Sequence, residues 1–367
     1  MKKNSKIYIA GHNGLVGSAI LRMLKEKGYQ NIIFRSHGEL DLTNTQQVQA
    51  FFEFEKPEYV FIAAAKVGGI EANNTYRADF IYENLMIQNN VIHQSYIHNV
   101  KKLLFLGSTC IYPRNSAQPI KEDSLLTGTL EYTNEPYAIA KIAGIKMCES
   151  YNLQYKTNFI SVMPTNLYGP NDNFELERSH VLPALLRKMH LGKALQQEDW
   201  SLLRADFVKY PIEGILNKSS KKEILEVLRK YGIVTENDTV KIEVWGSGDP
   251  KREFLWSQDM AAACVFIMEK INFYDTIQFS YSKEDNTKKE IRNTHINIGT
   301  GEEISIKELA YKIRDIVGFN GELFFNTDKP DGTLRKLTDP QKLRNLGWEH
   351  KVSLDEGLEK MYSWYIK

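Results

Sequence analysis

The feature that most constrains this chain is the heptapeptide Gly11-His12-Asn13-Gly14-Leu15-Val16-Gly17. It follows a short apolar run at 6–10 and opens a segment, 17–28, in which Ile20, Leu21 and Leu24 share one helical face. A strand that turns on glycine straight into a helix has a physical use. The first glycine allows the tight turn, the second lets a pyrophosphate approach the backbone, and the third lets helix and strand pack closely. The helix N-terminus then offers unpaired N–H groups to an anion. The same alternation continues downstream. Strands are expected at 31–34, 59–64, 102–106 and 158–163, and helices at 45–54, 78–99 and 138–155. Strand and helix in strict alternation predict an α/β protein with a Rossmann-type doubly wound parallel sheet.

Beyond Tyr168-Gly169-Pro170 the rhythm loosens. A short helix at 181–190 is followed by a polar excursion over about 191–240. Within it Ser220-Lys221-Lys222-Glu223 forms a capping-box pattern ahead of Ile224, Leu225 and Leu228. Strands at 241–245, 252–255 and 295–299 and helices at 259–270 and 306–317 complete the reading. At 367 residues the chain has room for two domains. The expected division is 1–169 with 256–299 as the dinucleotide-binding domain. A smaller α+β domain, 170–255 with 300–367, would bind the substrate and carry the helical insertion.

Composition removes several function classes. The 47 basic and 46 acidic residues leave a formal charge of +1, which argues against nucleic acid and acidic membranes as partners. No apolar run approaches the ~18 residues of a membrane span. Cys110, Cys148 and Cys264 are too few and too scattered for a disulfide framework or a zinc site, so no metal and a cytoplasmic location are expected.

Chemistry concentrates at three places. Tyr137-Ala138-Ile139-Ala140-Lys141 sets a phenol and an ammonium one helical turn apart on one face. The charge of Lys141 is expected to lower the Tyr137 pKa toward the working range, so that the phenol exchanges protons with a substrate. Ser108 ends the fourth strand, at the carboxyl edge where ligands of such sheets bind. Cys110 follows two residues later, so both side chains can face one carbonyl. Phe34-Arg35-Ser36-His37, at the end of the second strand, carries no acid to hold a ribose 2′-hydroxyl, and Arg35 favours a 2′-phosphate.

Gly11, Gly14, Gly17, Ser108, Tyr137 and Lys141 together resemble the extended short-chain dehydrogenase/reductases that act on nucleotide sugars. The segments 63–70, 110–113, 134–141, 164–170, 180–185, 245–248 and 329–333 narrow this to the GDP-L-fucose synthase family, over nearly the whole chain outside 191–240. The resemblance implies a 3,5-epimerase and NADPH-dependent 4-reductase of a GDP-4-keto-6-deoxymannose-type sugar. It gives Cys110 the role of base and His180 that of acid. It implies cofactor contacts from Gly11, Asn13, Gly14, Leu15, Val16, Gly17, Arg35, Ala64, Lys141 and His180. Asn166, Arg187, Trp245, Arg252 and Lys329 are implied for the GDP-sugar, and a homodimer through helices 80–99 and 138–155. Related dehydratases carry an acid beside the strand-end serine or threonine. Cys110 and Ile111 stand there instead, which disfavours dehydration.

The chain also departs from the family pattern. Asn13 and His37 replace arginines near the 2′-phosphate, which leaves NADH open beside NADPH. Residues 175–178 and the 191–240 excursion differ as well, and they raise a GDP-4-keto-heptose as an alternative sugar. Reduction without epimerisation and a non-catalytic dinucleotide sensor are the remaining alternatives.

Overall fold

The computed structural model describes residues 1–215, 218–237, 239–277, 290–329 and 331–367. They form two compact units. The first comprises Met1–Leu167, Glu253–Glu302 and Leu337–Val352; the second Tyr168–Arg252, Glu303–Lys336 and Ser353–Lys367.

The first unit holds six parallel strands in the order Ile296–Ile298, Phe159–Pro164, Lys102–Leu106, Tyr59–Ile62, Ile7–Ala10, Ile32–Ile33. Central parallel strands are covered on both faces, which is why Ile7-Tyr8-Ile9-Ala10 is buried at every position. Ile7 and Ile9 join the core under the helices Leu15–Glu26 and Ser257–Lys270. Tyr8 and Ala10 join the opposite core, under Thr45–Glu55, Arg77–Ile97 and Glu135–Tyr155. Strand order reverses between Ile7–Ala10 and Tyr59–Ile62, and such a reversal opens a crevice at the carboxyl ends of the strands. Gly144 lets the Glu135–Tyr155 helix sit close, since a Cβ there would lie 2.5 Å from the Phe105 ring and 2.9 Å from Gln88 Oε1.

The second unit is built on two three-stranded sheets. Thr239–Trp245 runs parallel to Glu322–Asn326 and antiparallel to Ile233–Glu236. Lys251–Arg252 lies between Ile304–Ser305 and Arg335–Lys336. Helices Val181–Gln196, Trp200–Lys209, Lys221–Lys230, Ile306–Val317 and Leu354–Tyr365 surround them.

Two expectations change. Residues 337–352 return to the first unit. The reason is Glu253, fully buried, whose carboxylate accepts hydrogen bonds from the backbone N–H groups of Thr300, Gly301 and Thr338. The excursion is also shorter than 191–240. Leu191, Ala194 and Leu195 are buried in the final turns of the Val181–Gln196 helix, and Ile233–Glu236 is a sheet strand. The Ser220 capping box is present as expected.

Candidate active site

The glycine loop shows which of its glycines serve the fold. Gly11 has φ +87°, and a Cβ on it would lie 2.6 Å from the Ala64 backbone nitrogen. Loop and third strand are thus in backbone contact at the crevice. Asn84 fixes the far side of that approach: its side chain accepts from Lys66 N and donates to Lys66 O, both at 3.0 Å. A Cβ on Gly17 would lie 2.1 Å from Gly11 O, so the helix could not seat. Gly14 differs. A Cβ there would meet only Gly11 O, at 3.9 Å, so nothing within the protein requires glycine. Gly14 is also the N-cap of the Leu15–Glu26 helix, and no side chain caps that end. An open backbone before an uncapped helix start fits a dinucleotide pyrophosphate, which would take the place a Cβ would fill and accept from the Leu15 and Val16 region. Asn13 is exposed beside it. Arg35 donates to the Phe34 carbonyl at 2.8 Å and pairs with Glu55 at 2.5 Å, so a 2′-phosphate must compete with that carboxylate.

Four of the expected catalytic side chains meet at the end of the Lys102–Leu106 strand. Ser108 is extended and its Oγ accepts from Cys110 N at 3.4 Å, opening the single turn Thr109–Ile111. That turn carries the buried Cys110 toward the Glu135–Tyr155 helix, close enough for its charge to raise the pKa of both Tyr137 and Lys141. Tyr137 lies in the first turn of that helix. Lys141, one turn on, is buried with its Nζ 2.9 Å from Leu106 O and 5.7 Å from the centre of the Tyr137 ring. Burial lowers the Lys141 pKa to about 8, with Cys110 opposing. The expected drop in the Tyr137 pKa is corrected here. Burial drives it upward and Cys110 adds to this, so the phenol is held protonated at neutral pH. Asn166 is exposed at the end of the next strand, its amide donating to Glu253 O at 2.8 Å.

In the second unit His180 is the N-cap of the Val181–Gln196 helix, yet its side chain caps nothing. The ring keeps an exposed surface, while the surrounding protein pushes its pKa below the ordinary value. Arg252 is partly desolvated and donates to Thr333 O at 2.6 Å, with no carboxylate within 4 Å among the described residues. Gly332 makes room for it, since a Cβ there would lie 3.0 Å from Arg252 Nη2. Trp245 is 62% exposed, and Lys329 Nζ stands 5.2 Å from its ring centre. Asp331 holds the turn after Trp245 by accepting from Ser247 N and Oγ at 3.0 and 2.7 Å. Pro330, inside the 329–333 motif, lies outside the described residues.

Arg187 is a correction. It is 0% exposed, and its guanidinium is spent on Asp206 Oδ1 at 2.9 and 2.7 Å, Phe174 O at 2.9 Å and Tyr210 O at 2.5 Å. No donor face is left for a diphosphate. The sequence reading passed over its neighbour Lys188, which helical geometry turns by 100° onto another face. Lys188 is half-buried, its Nζ 3.2 Å from Glu243 O, and burial lowers its pKa to about 8. It has no carboxylate within 4 Å among the described residues, and the Glu243 charge, acting from further away, only partly offsets its desolvation.

A family model described as the NAD dependent epimerase/dehydratase family matches residues 7–206 and 217–279, and the chain belongs to that family. Within it the resemblance to GDP-sugar enzymes holds over full length. The chain is 49% identical to GDP-L-fucose synthase 1 of Arabidopsis thaliana, with 100% of this chain and 94% of that protein covered. It is 46% identical to a GDP-D-glycero-L-gluco-heptose synthase from Campylobacter jejuni solved in the presence of NADPH, with all of both chains covered and a TM-score of 0.90. A GDP-mannoheptose C4 reductase from the same organism, with NADP bound, is also 46% identical, with all of both chains covered and a TM-score of 0.85. Among the described residues no helix is long and apolar enough to cross a membrane.

Proposed function

We propose that the chain inverts C3 and C5 of a GDP-4-keto-6-deoxymannose-type sugar and then reduces C4, as a GDP-L-fucose synthase does. The observation that carries this is Cys110 set beside Ser108, Tyr137 and Lys141 at one strand end. Ser108, Tyr137 and Lys141 alone suffice for reduction. A thiol among them adds a base where a ketone has made the neighbouring C–H groups acidic.

The C4 carbonyl accepts from Ser108 Oγ and the Tyr137 hydroxyl. Cys110, as thiolate, takes the proton from C3 or C5, and the resulting charge on the C4 oxygen is held by those two donors. His180 returns a proton to the opposite face, since an imidazole can both give and take a proton. NADPH, when bound, supplies the hydride for C4. Tyr137 gives its phenolic proton to the C4 oxygen, and the Lys141 charge stabilises the phenolate left behind. Gly11, Gly14, Gly17 and Ala64 shape the cofactor cradle, with Asn13, Arg35 and His180 as further contacts. Asn166, Lys188, Trp245, Arg252 and Lys329 hold the GDP-sugar.

Incubation with the 4-keto sugar in D2O without NADPH tests the epimerase. Deuterium should enter C3 and C5, and its absence would leave only the reductase. The two Campylobacter enzymes, at 46% identity, favour a second reading in which the sugar is a GDP-4-keto-heptose. Product NMR with both sugars decides between them.

A cytoplasmic homodimer completes the reading. Burial of all three thiols suits a reducing compartment. Tyr82 and Ile97 on the Arg77–Ile97 helix, and Ile139 and Leu153 on the Glu135–Tyr155 helix, are exposed apolar side chains that a second copy would cover. Sedimentation at monomer mass would dismiss it.

A further inference from the structure

The second unit contains a closed aromatic and ionic box that no step above uses. Its centre is Phe174, fully buried, in the middle of the segment leading to His180. The Phe174 ring packs on Tyr210, Trp364 and Tyr365 at centroid distances of 5.2, 6.1 and 4.7 Å. Its carbonyl accepts from Arg187 at 2.9 Å. Arg187 is in turn held by Asp206, whose other carboxylate oxygen accepts from the Tyr365 hydroxyl. Tyr210 and Tyr365 stack with rings 6° from parallel.

The excursion supplies half of this box. Asp206 lies on the Trp200–Lys209 helix and Tyr210 follows it. Between Phe174 and His180 the chain runs along the surface: Glu175, Glu177 and Arg178 are exposed, and Arg178 N and Ser179 N both donate to Glu175 O, at 3.2 and 2.9 Å. His180 then starts the helix that also carries Arg187, with Ala184 N donating to His180 O at 3.1 Å. The His180 ring has no cap bond of its own. It is therefore aimed by its backbone, and its backbone is fixed on one side by the helix and on the other by Phe174.

We infer that Asp206, acting through Arg187 and Phe174, is a positioning residue for His180, so that the excursion governs epimerisation while leaving hydride transfer alone. This rests on the assignment of His180 as the epimerisation acid. A buried ion pair is a poor source of stability, because desolvating two charges offsets most of their attraction. What such a pair does supply is a single geometry, here for a Phe174 carbonyl and the chain on either side of it.

The test compares wild type with Asp206→Asn, Phe174→Leu and His180→Asn. One assay is deuterium entry at C3 and C5 in D2O without NADPH. The other is the initial rate of GDP-L-fucose oxidation at saturating NADP+, which reads hydride transfer apart from any change in cofactor affinity through His180. Thermal melting checks folding, and Phe174→Leu keeps the carbonyl bond should Asp206→Asn fail to fold. Since a misplacement of about 1 Å can cost 10²-fold, exchange should fall roughly 10- to 100-fold in both positioning variants, with oxidation within about twofold of wild type. Equal loss in both assays, or unchanged exchange in a folded variant, overturns the proposal. Unchanged exchange in His180→Asn would instead remove the acid assignment and leave the box without a task.

Discussion

The strand-end cluster of the first unit and the cation platform of the second reward reading in opposite ways. Ser108, Cys110, Tyr137 and Lys141 lie close in the chain, and local geometry makes them meet. A single turn carries Cys110 past Ser108, and one helical turn separates Tyr137 from Lys141. Arg187, Lys188, Trp245, Arg252 and Lys329 are spread over one helix, two sheets and a loop, and their use depends on what packs against each. Short-range spacing is a property of the sequence. Whether a surface cation is free or already paired is a property of the fold.

The sharpest way to break this comparison is Tyr137→Phe. It removes the proton donor and leaves the ring on Phe80, 6.5 Å away. A positioned general acid is worth about 10²–10⁴-fold, so NADPH oxidation should fall by that factor. Deuterium entry at C3 and C5 should persist at a measurable rate. Full reduction by the variant would take Tyr137 out of the mechanism.

Adjacent cations in the second unit should separate cleanly. Arg187→Met leaves the Asp206 carboxylate buried without its partner, at a cost of about 3–5 kcal/mol in stability, read by denaturant unfolding. Lys188→Met leaves no buried carboxylate behind, so stability should change little. Its expected effect is a rise of about tenfold in KM for the GDP-sugar, the size of one lost charge-assisted bond. The reverse pattern would restore Arg187 as the diphosphate ligand.

The glycine loop permits the same contrast within four residues. Gly11→Ala meets both a positive φ and the Ala64 backbone, and should destabilise the fold by about 2–4 kcal/mol. Gly14→Ala meets no protein atom closer than 3.9 Å, so melting should be unchanged while NADPH affinity falls several-fold. Equal melting temperatures for the two variants would refute the division of labour between these glycines.

These contrasts mark what was legible beforehand. The six-stranded parallel sheet was, because buried parallel strands read as unbroken apolar runs and the glycine loop fixes the first crossover. The Val181–Gln196 helix runs past the expected end at 190 because Leu191, Ala194 and Leu195, interrupted in the sequence by Gly192 and Lys193, are buried. Their burial comes from the 306–317 helix and the 239–245 strand, more than 40 residues away. Arg187 misled for the same reason. Its partner Asp206 lies 19 residues on, in a stretch with no pattern that ties it to position 187. Residues 337–352 are claimed by Glu253, 85 residues upstream of Thr338. No window on the sequence contains both ends of such a bond.

The mildest test concerns Lys141, whose pKa of about 8 puts its titration within reach of assay. Below pH 8 the ammonium is charged and supports the phenolate that Tyr137 becomes on giving up its proton. As pH rises through 8 that support is lost, so kcat/KM for reduction should decline along a single ionisation, by up to about tenfold per pH unit. Stability moves the other way. The unfolded chain holds this proton up to about pH 10.5, the ordinary lysine value, while the folded chain releases it from about pH 8. Between those limits the unfolded state binds more protons, so the contribution of Lys141 to folding grows more favourable as pH rises. A fall in activity near pH 8 that accompanies unchanged or improved stability is therefore the signature of Lys141. Deuterium exchange driven by Cys110 uses the Tyr137 hydroxyl only as a hydrogen-bond donor and transfers no proton from it, so it should not share the decline. The same decline in both assays would show that Lys141 is not its source.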